Sequence, residues 1–567
     1  MCGIFLYIAA RRITGKQKKL LRKSANKLLH RGPDQQQIKY YSDNIMLSFY
    51  RLAIVDPTPE GIQPFESKDG RYACMCNGEI YNFREIKKYL KEKGYEVKWK
   101  THSDCEVLVH LFDYLVSTTN DQPLEALRIM CRDHLDGEYA IVIYDNHTGR
   151  TFYATDELSM RPIFIGSASL DTELPGLFIA SEQKSMVKYC NSIYRIKAGE
   201  YGLLDSKFDV DRKYHFDMNK VQRIDITFEE ATLRLRKLMI ENTINKLSPD
   251  REYVILLSGG IDSSLVCSIA ARHVYPNRIR TFTIGFSPDA TDILAARKVA
   301  KHIDSIHTEF ICTYEEGIAM IPLAIYHNES WDQTTTRASI PMLLCLKKIR
   351  EKHPDVAVIF SGEVADEMLR GYLYNRNTPS LEEGKKDQIL RLQNLHTSDG
   401  VRADRSCAAY SFECRFPFFS KELVEFSLAI PPEYLNPPDN DGIEKYILRK
   451  AFDTETGDGY EYLPREILWR TKNAFSDATS VKSGWKDYLI SYCDKQVTDS
   501  RFAMRNELYP YCTPQTKEDM YYRELFDEHG YDPTTIPYKW LSSWCGDITD
   551  SSAATLEVFN EDKIETS

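Results

Sequence analysis

Val254-Ile255-Leu256-Leu257-Ser258-Gly259-Gly260-Ile261-Asp262-Ser263-Ser264 decides how the second half of this chain is read. Four apolar residues run into small ones, and then into a stretch carrying Asp and Ser. That is the pattern of a buried strand, a tight turn and a helix start. Small residues let the main chain approach an anion, and N–H groups at a helix start can hold phosphate. An ordinary strand-to-helix connection shows the same residue types. The chain has neither a GxxxxGK[ST] loop nor a GxGxxG fingerprint, which argues against a P-loop ATPase and a dinucleotide dehydrogenase.

Outward from this loop, strands and helices alternate. The pattern predicts strands at 254–257, 281–286 and 356–360 and helices at 263–272 and 293–302. This rhythm implies βαβ units and a parallel sheet. A second block of small and acidic residues follows the 356–360 strand: Ser361-Gly362-Glu363-Val364-Ala365-Asp366-Glu367. Beyond about residue 420 the chain reads as mainly helical, residues 382–388 as a charged surface excursion, and 551–567 as a polar tail.

Residues 2–205 follow another rule. Short apolar runs at 45–49, 72–75, 139–144, 152–154 and 177–180 are separated by turn signals, with helical patterns at 83–93 and 105–114. Grouped strands with few helices predict an α+β layered domain. The polar stretch 206–226 reads as a linker to a second domain at 227–550.

Composition agrees with several soluble domains. The chain has 567 residues, 43% hydrophobic and 28% charged, which excludes collagen-like and wholly disordered classes. No apolar stretch approaches the roughly 20 residues that cross a bilayer, so no membrane association is expected. A net charge of -10 speaks against nucleic acid as a partner. The first apolar run precedes Arg11-Arg12, the wrong order for an export signal. The 14 cysteines contain no CxxC pair and read as reduced thiols, so a cytoplasmic location is expected.

Cys2 is the most informative residue of the first half. Loss of Met1 would leave it with a thiol and a free α-amine, and an amine with a pKa near ~8 can serve as the base a thiol needs. The blander reading is that Cys2 merely opens a strand. Downstream lie His30-Arg31-Gly32-Pro33-Asp34, Arg51-Leu52-Ala53-Ile54-Val55-Asp56, Asn77-Gly78-Glu79-Ile80-Tyr81-Asn82 and Ser103-Asp104-Cys105-Glu106. Asn77-Gly78 reads either as a hairpin turn or as an oxyanion hole made by the Asn77 amide and the Gly78 N–H. Arg51 offers a planar fork for a carboxylate, while Glu79 and Asp104 suit an ammonium. Together they suit the two ends of a free amino acid.

These four blocks resemble the glutaminase domain of the class II amidotransferases, a layered αββα domain of the Ntn type. The resemblance implies that Cys2 attacks glutamine and releases ammonia, and that Arg51, Leu52, Ala53, Ile54, Val55, Asn77, Gly78, Glu79 and Asp104 bind glutamine. Ser258-Gly259-Gly260-Ile261-Asp262-Ser263 resembles the pyrophosphate loop of the ATP pyrophosphatases, a doubly wound parallel-sheet fold, here with a helical extension. It implies ATP binding by Leu256, Ser258, Gly259, Gly260, Asp262, Ser263, Ser264, Ile284, Ser361, Gly362, Asp366 and Lys472. Mg²⁺ would accompany ATP on Asp262 and Asp366.

The two units in this order resemble the glutamine-hydrolysing asparagine synthetases. Further matching blocks are Trp331 to Ser339, Val401 to Arg405, Gly442 to Lys445 and Ile467 to Asp477. By that likeness Thr334, Thr335 and Arg337 lie in the aspartate–ATP pocket and Glu363 acts near the adenylate. Glutamine, aspartate and ATP are the implied substrates and a homodimer the implied assembly. Three departures stand out: Val364-Ala365 where relatives have Gly-Ser, Ser420 where they have Asp, and Thr155-Asp156-Glu157-Leu158-Ser159 where they have Arg-Asp-x-x-Gly. Two alternatives stay open: an amidotransferase acting on another carboxylate, and a glutamine- or nucleotide-binding protein with a lost synthetase.

Overall fold

The computed structural model describes residues 1–205, 210–247, 250–436, 443–470, 479–481 and 484–550. The expected tail at 551–567 lies outside the described residues, as do Gly442 and Lys472.

The first half is two antiparallel sheets packed face to face. Its strands are β1 Gly3–Ala9, β2 Gln35–Ser42, β3 Ile45–Arg51, β4 Phe65–Glu66, β5 Tyr72–Ile80, β6 Gly137–Asp145, β7 Thr151–Thr155, β8 Phe164–Ala168, β9 Gly176–Ala180, β10 Ser192–Arg195, β11 Glu200–Leu204 and β12 Val210–Tyr214. One sheet has the order β10-β8-β9-β1-β3-β2, the other β12-β11-β7-β6-β5-β4. Period-2 alternation explains the layering. Ile4, Leu6 and Ile8 of β1 face the second sheet's Ala73, Met75 and Val142. Phe5 and Tyr7 point the other way, onto Leu21 and Leu28 beneath helix Gly15–Ala25. On the far side, Cys74, Cys76 and Ile141 pack under helix Glu106–Thr118 through Leu108, Leu111 and Phe112. Each fully buried Leu or Ile contributes about 1.5–3 kcal/mol.

Two sequence expectations change here. Part of the stretch read as a linker folds as β12, whose residues pair antiparallel with β11 from Glu200↔Tyr214 to Leu204↔Val210. Its exposed polar side chains hid an edge strand, where one face has no core to touch. Residues 382–388 lie within helix Leu381–Asn394. There Asp387 and Gln388 are buried, with Asp387 accepting a hydrogen bond from the Tyr374 hydroxyl at 2.7 Å.

The second half carries a five-stranded parallel sheet in the order β15-β14-β13-β16-β17. Its strands are β13 Glu252–Leu256, β14 Arg280–Gly285, β15 Ile306–Ile311, β16 Val356–Phe360 and β17 Glu413–Arg415. From β13 the chain winds outward to β15, then returns to place β16 on β13's other side. The crevice at that reversal, outside the carboxyl ends of β13 and β16, is where open α/β sheets bind ligands. Both small-residue blocks of the sequence emerge there.

Candidate active site

Packing of the two first-half sheets sets the amino terminus of β1 beside β5. The Cys2 N–H donates to Oδ1 of Asn77 at 2.7 Å, and the thiol points to the Leu52 carbonyl at 3.7 Å. Asn77 is fully buried, and its Nδ2 has no hydrogen-bond partner among the described residues. A buried amide donor without a partner is ready for a ligand oxygen. With Met1 in peptide linkage, burial pushes the Cys2 thiol up to about 11. Asn77-Gly78 is not a hairpin turn: both residues lie inside β5, opposite Ala140 and Tyr139. Gly78 has φ 151°, and a Cβ there would sit 1.9 Å from the Glu138 carbonyl oxygen.

The charged residues expected around glutamine are all buried here. The Arg51 guanidinium donates to Gln35 Oε1 at 2.8 Å, to the Thr58 carbonyl at 2.6 Å and to the carbonyls of Val55 and Asp56, shaping loop 52–58. Asp104 Oδ2 accepts from the Ile80 N–H at 2.9 Å. Glu79 pairs with Arg415 of the second half at 2.9 Å. Burial raises both carboxyls, each opposed by the Arg415 charge. Of the remaining loop residues, Leu52 faces the thiol, Ala53 donates its N–H to Asp34, and Ile54 and Val55 pack against the second half's core.

At the sheet crevice of the second half lies a cavity of about 280 Å³. Leu256, Ser258, Gly259, Gly260, Asp262 and Ser263 line it from the first loop, and Ile284 from the end of β14. Ser361, Gly362, Glu363 and Asp366 line it from the second loop, Thr334 and Arg337 from helix Gln333–Lys352. Two expected residues stand off it. Ser264 is fully buried in helix Ile261–Val274, and the Thr335 N–H is capped by Asp332 Oδ2 at 2.8 Å. The two loops touch: a Cβ on Gly362 would meet the Ser263 nitrogen at 2.7 Å. That contact requires glycine and brings the amino end of helix Ile261–Val274 against the second loop, where its N–H groups suit an anionic phosphate.

Lys445 was not singled out from the sequence. Its Nζ lies 2.5 Å from Asp262 Oδ2 and 2.8 Å from Asp366 Oδ1, and those carboxylates hold its charged form well above the usual lysine range. The only sequence signal was its membership of the Gly442 to Lys445 block. The point where these two carboxylates converge is filled by the Lys445 ammonium, so Mg²⁺ would be held through their oxygens turned away from Lys445, with phosphate oxygens completing the shell. Glu363 accepts from Arg402 Nη2 at 2.7 Å, and Arg402 also binds Asp399 at 2.9 Å. Burial raises the Glu363 carboxyl, and the Arg402 charge opposes it.

The two sites meet across a buried ionic seam. Arg31 donates to the Cys2 carbonyl at 2.9 Å, to Glu182 at 2.8 Å and to Asp404 of the second half at 3.1 Å. Arg161 bridges Glu138 at 2.6 Å and Asp404 at 3.3 Å, and Lys246 reaches Glu138 at 2.8 Å. The Met1 ammonium lies 3.7 Å from Glu413, with its side chain fully buried.

Residues 1–201 match the glutamine amidotransferase domain family, and residues 234–387 and 375–535 match asparagine synthase. The chain belongs to the asparagine synthase family. Asparagine synthetase [glutamine-hydrolyzing] of Gallus gallus is 37% identical over 567 residues, covering 94% of this chain and 95% of that protein. Those of Mesocricetus auratus and Homo sapiens are 36% identical with the same coverage.

Against the asparagine synthase pattern, two of the three departures keep a structural role. Ser420 caps helix Lys421–Ala429, its hydroxyl accepting from the Leu423 N–H at 3.2 Å. Asp and Ser serve equally as N-caps, so Ser420 gives no reason to expect a different acid substrate. Ser159 takes φ 53°, the conformation suited to a glycine, and Asp156 accepts from the N–H groups of Tyr139, Leu158 and Met160. The third departure is strained: buried Val364 has φ 82° and ψ -24°. A β-branched residue in that region is a genuine outlier.

Proposed function

We propose that this chain makes asparagine from aspartate, ATP and glutamine, releasing glutamate, AMP and pyrophosphate. One observation carries the reading: a thiol–amide site and a phosphate-loop cavity occupy one chain, joined by the Arg31–Asp404 seam.

At the first site the Cys2 sulfur attacks the side-chain carbonyl carbon of glutamine. Nδ2 of Asn77 and the Gly78 N–H receive the developing oxyanion, the nitrogen leaves as ammonia, and water cleaves the thioester to glutamate. Removal of Met1 frees the α-amine that takes the thiol proton. By family likeness Arg51 takes the glutamine carboxylate, giving up a loop carbonyl for it, and Glu79 and Asp104 take the ammonium.

At the second site the aspartate side-chain carboxylate attacks the α-phosphorus of ATP, and pyrophosphate leaves. Ammonia from the first site then attacks the acyl carbon, and AMP leaves with the electron pair. The Ser258–Ser263 loop and Lys445 hold the pyrophosphate, Ile284 packs the adenine, Thr334 and Arg337 hold substrate anions, and Glu363 lies nearest the adenylate. Lys472 is assigned to phosphate by family likeness. Magnesium delivered with ATP would sit on Asp262 and Asp366 and neutralise pyrophosphate charge. We infer a homodimer, which light scattering tests directly. All 14 cysteines are free thiols, which suits the reducing cytoplasm, and no described helix is long and apolar enough to cross a membrane.

Purified protein is given Mg-ATP and aspartate, with glutamine in one tube and ammonium in another, and products are followed by mass spectrometry. Asparagine with matched AMP and glutamate is expected. Glutamate without asparagine or AMP would overturn the assignment to aspartate.

A further inference from the structure

Residues 536–550 lie beyond the residues matched to asparagine synthase, yet they form part of the synthetase cavity wall. The segment is strapped across the site. The Trp540 N–H donates to Asp332 Oδ1 at 2.9 Å, the Leu541 carbonyl accepts from Arg391 at 2.7 Å, and the Thr549 carbonyl accepts from Lys539 at 2.8 Å. Trp540, Ser542 and Asp550 line the cavity.

Asp550 ends on Arg337. Both of its carboxylate oxygens lie 2.9 Å from Arg337 Nη1, and Oδ2 lies 3.5 Å from Lys486 Nζ. The other edge of the guanidinium is held by Glu518, which takes Nε at 2.7 Å and Nη2 at 2.5 Å. An anion taking the Nη1 side of Arg337 displaces Asp550, and one taking the Nε–Nη2 edge displaces Glu518. Glu518 is the poorer candidate to leave. It also accepts from Gln333 at 2.8 Å and Tyr522 at 2.9 Å, and its side chain is 2% exposed. Asp550 is 18% exposed and sits on a segment without regular secondary structure. Its place, between a guanidinium and an ammonium at a cavity wall, is that of a substrate's anionic group.

We propose that Asp550 is an internal competitor: it occupies the position on Arg337 that a substrate anion, the aspartate carboxylate or an ATP phosphate, takes during turnover. The strap lifts Asp550 away as that substrate enters. This rests on the reading of Arg337 as a substrate-binding residue.

The test uses the full chain with ammonium as nitrogen source, so that the Cys2 site does not enter, and follows pyrophosphate release. In Asp550→Asn, one KM falls about fivefold, the size expected for losing a partly exposed ion pair, and kcat is not reduced. A fall for aspartate identifies the carboxylate as the displacing anion, and a fall for ATP identifies the phosphate. Unchanged or raised values for both overturn the proposal. Asp550→Ala gives the same result if charge is the cause, and matched melting curves show that both variants fold. Hydrogen exchange at 541–549 should quicken when aspartate and a non-hydrolysable ATP analogue are added; slower exchange would mean that the strap closes on substrate, which overturns it. Arg337→Ala separates the two readings. If it leaves both KM values unchanged, the assignment of Arg337 fails and the competitor with it. If it impairs turnover while Asp550→Asn changes nothing, the strap alone fails.

Discussion

The main-chain nitrogen of Cys2 and the side-chain oxygen of Asn77 are 2.7 Å apart, linking residues 75 positions apart in sequence. Because that oxygen accepts from Cys2, the Asn77 Nδ2 is turned to the other side as a donor. Asn77→Ala should cut glutamine-dependent asparagine formation about 10²-fold, the usual loss for one oxyanion donor. Ammonium-dependent formation should stay within twofold, roughly, since the second site is untouched. A comparable fall with ammonium would assign Asn77 a structural role instead.

Lys445→Met removes the ammonium between Asp262 and Asp366 and leaves two carboxylates facing the pyrophosphate. AMP formation should drop by about 10²–10³-fold, while glutaminase activity persists. Rapid-quench measurement of AMP alongside glutamate release distinguishes this from general unfolding.

Val364→Gly relieves the positive φ. About 1–2 kcal/mol of strain is relieved, but the glycine adds unfolded-chain entropy and deletes a buried side chain of the core, about 1.5–3 kcal/mol. A lower thermal midpoint is expected. A higher one would mean that the backbone strain outweighs the Val364 side chain's packing.

Burial pushes the Glu157 carboxyl up to about 8, with Asp156 beside it adding to the rise. The folded chain therefore keeps a proton that the unfolded chain gives up near 4.5. Stability from this group is present at low pH and declines as pH rises from there to about 8. Glu157→Gln should flatten that decline, raising the melting midpoint more above pH ~8 than near pH ~5.

The 258–263 loop was legible because a strand, a glycine turn and a helix start follow one another locally. The amino-terminal blocks were legible because Cys2, Arg51, Asn77 and Asp104 keep recognisable neighbours. Lys445 was harder: its partner Asp262 is 183 residues away, and a lone lysine in sequence carries no sign of being buried. The strand at Val210–Tyr214 was missed because an edge strand with an exposed face has no apolar alternation to display. Asn77-Gly78 read either as a hairpin turn or as an oxyanion hole because glycine marks both turns and crowded strands; the approach of the Glu138 carbonyl excludes the turn. Arg51 shows a further limit. Its residue type announced a carboxylate partner, whereas its contacts here are with the loop that follows it.

Helix Asp399–Ala409 carries Arg402, which holds Glu363 in the second-half cavity, and two residues further on, roughly half a turn, Asp404, which accepts from Arg31 beside Cys2. A rigid rod with both chemistries attached to it acts as a common axle. Arg402 and Asp404 leave this helix on opposite sides, so any displacement of the one rod shifts the supports of both sites together.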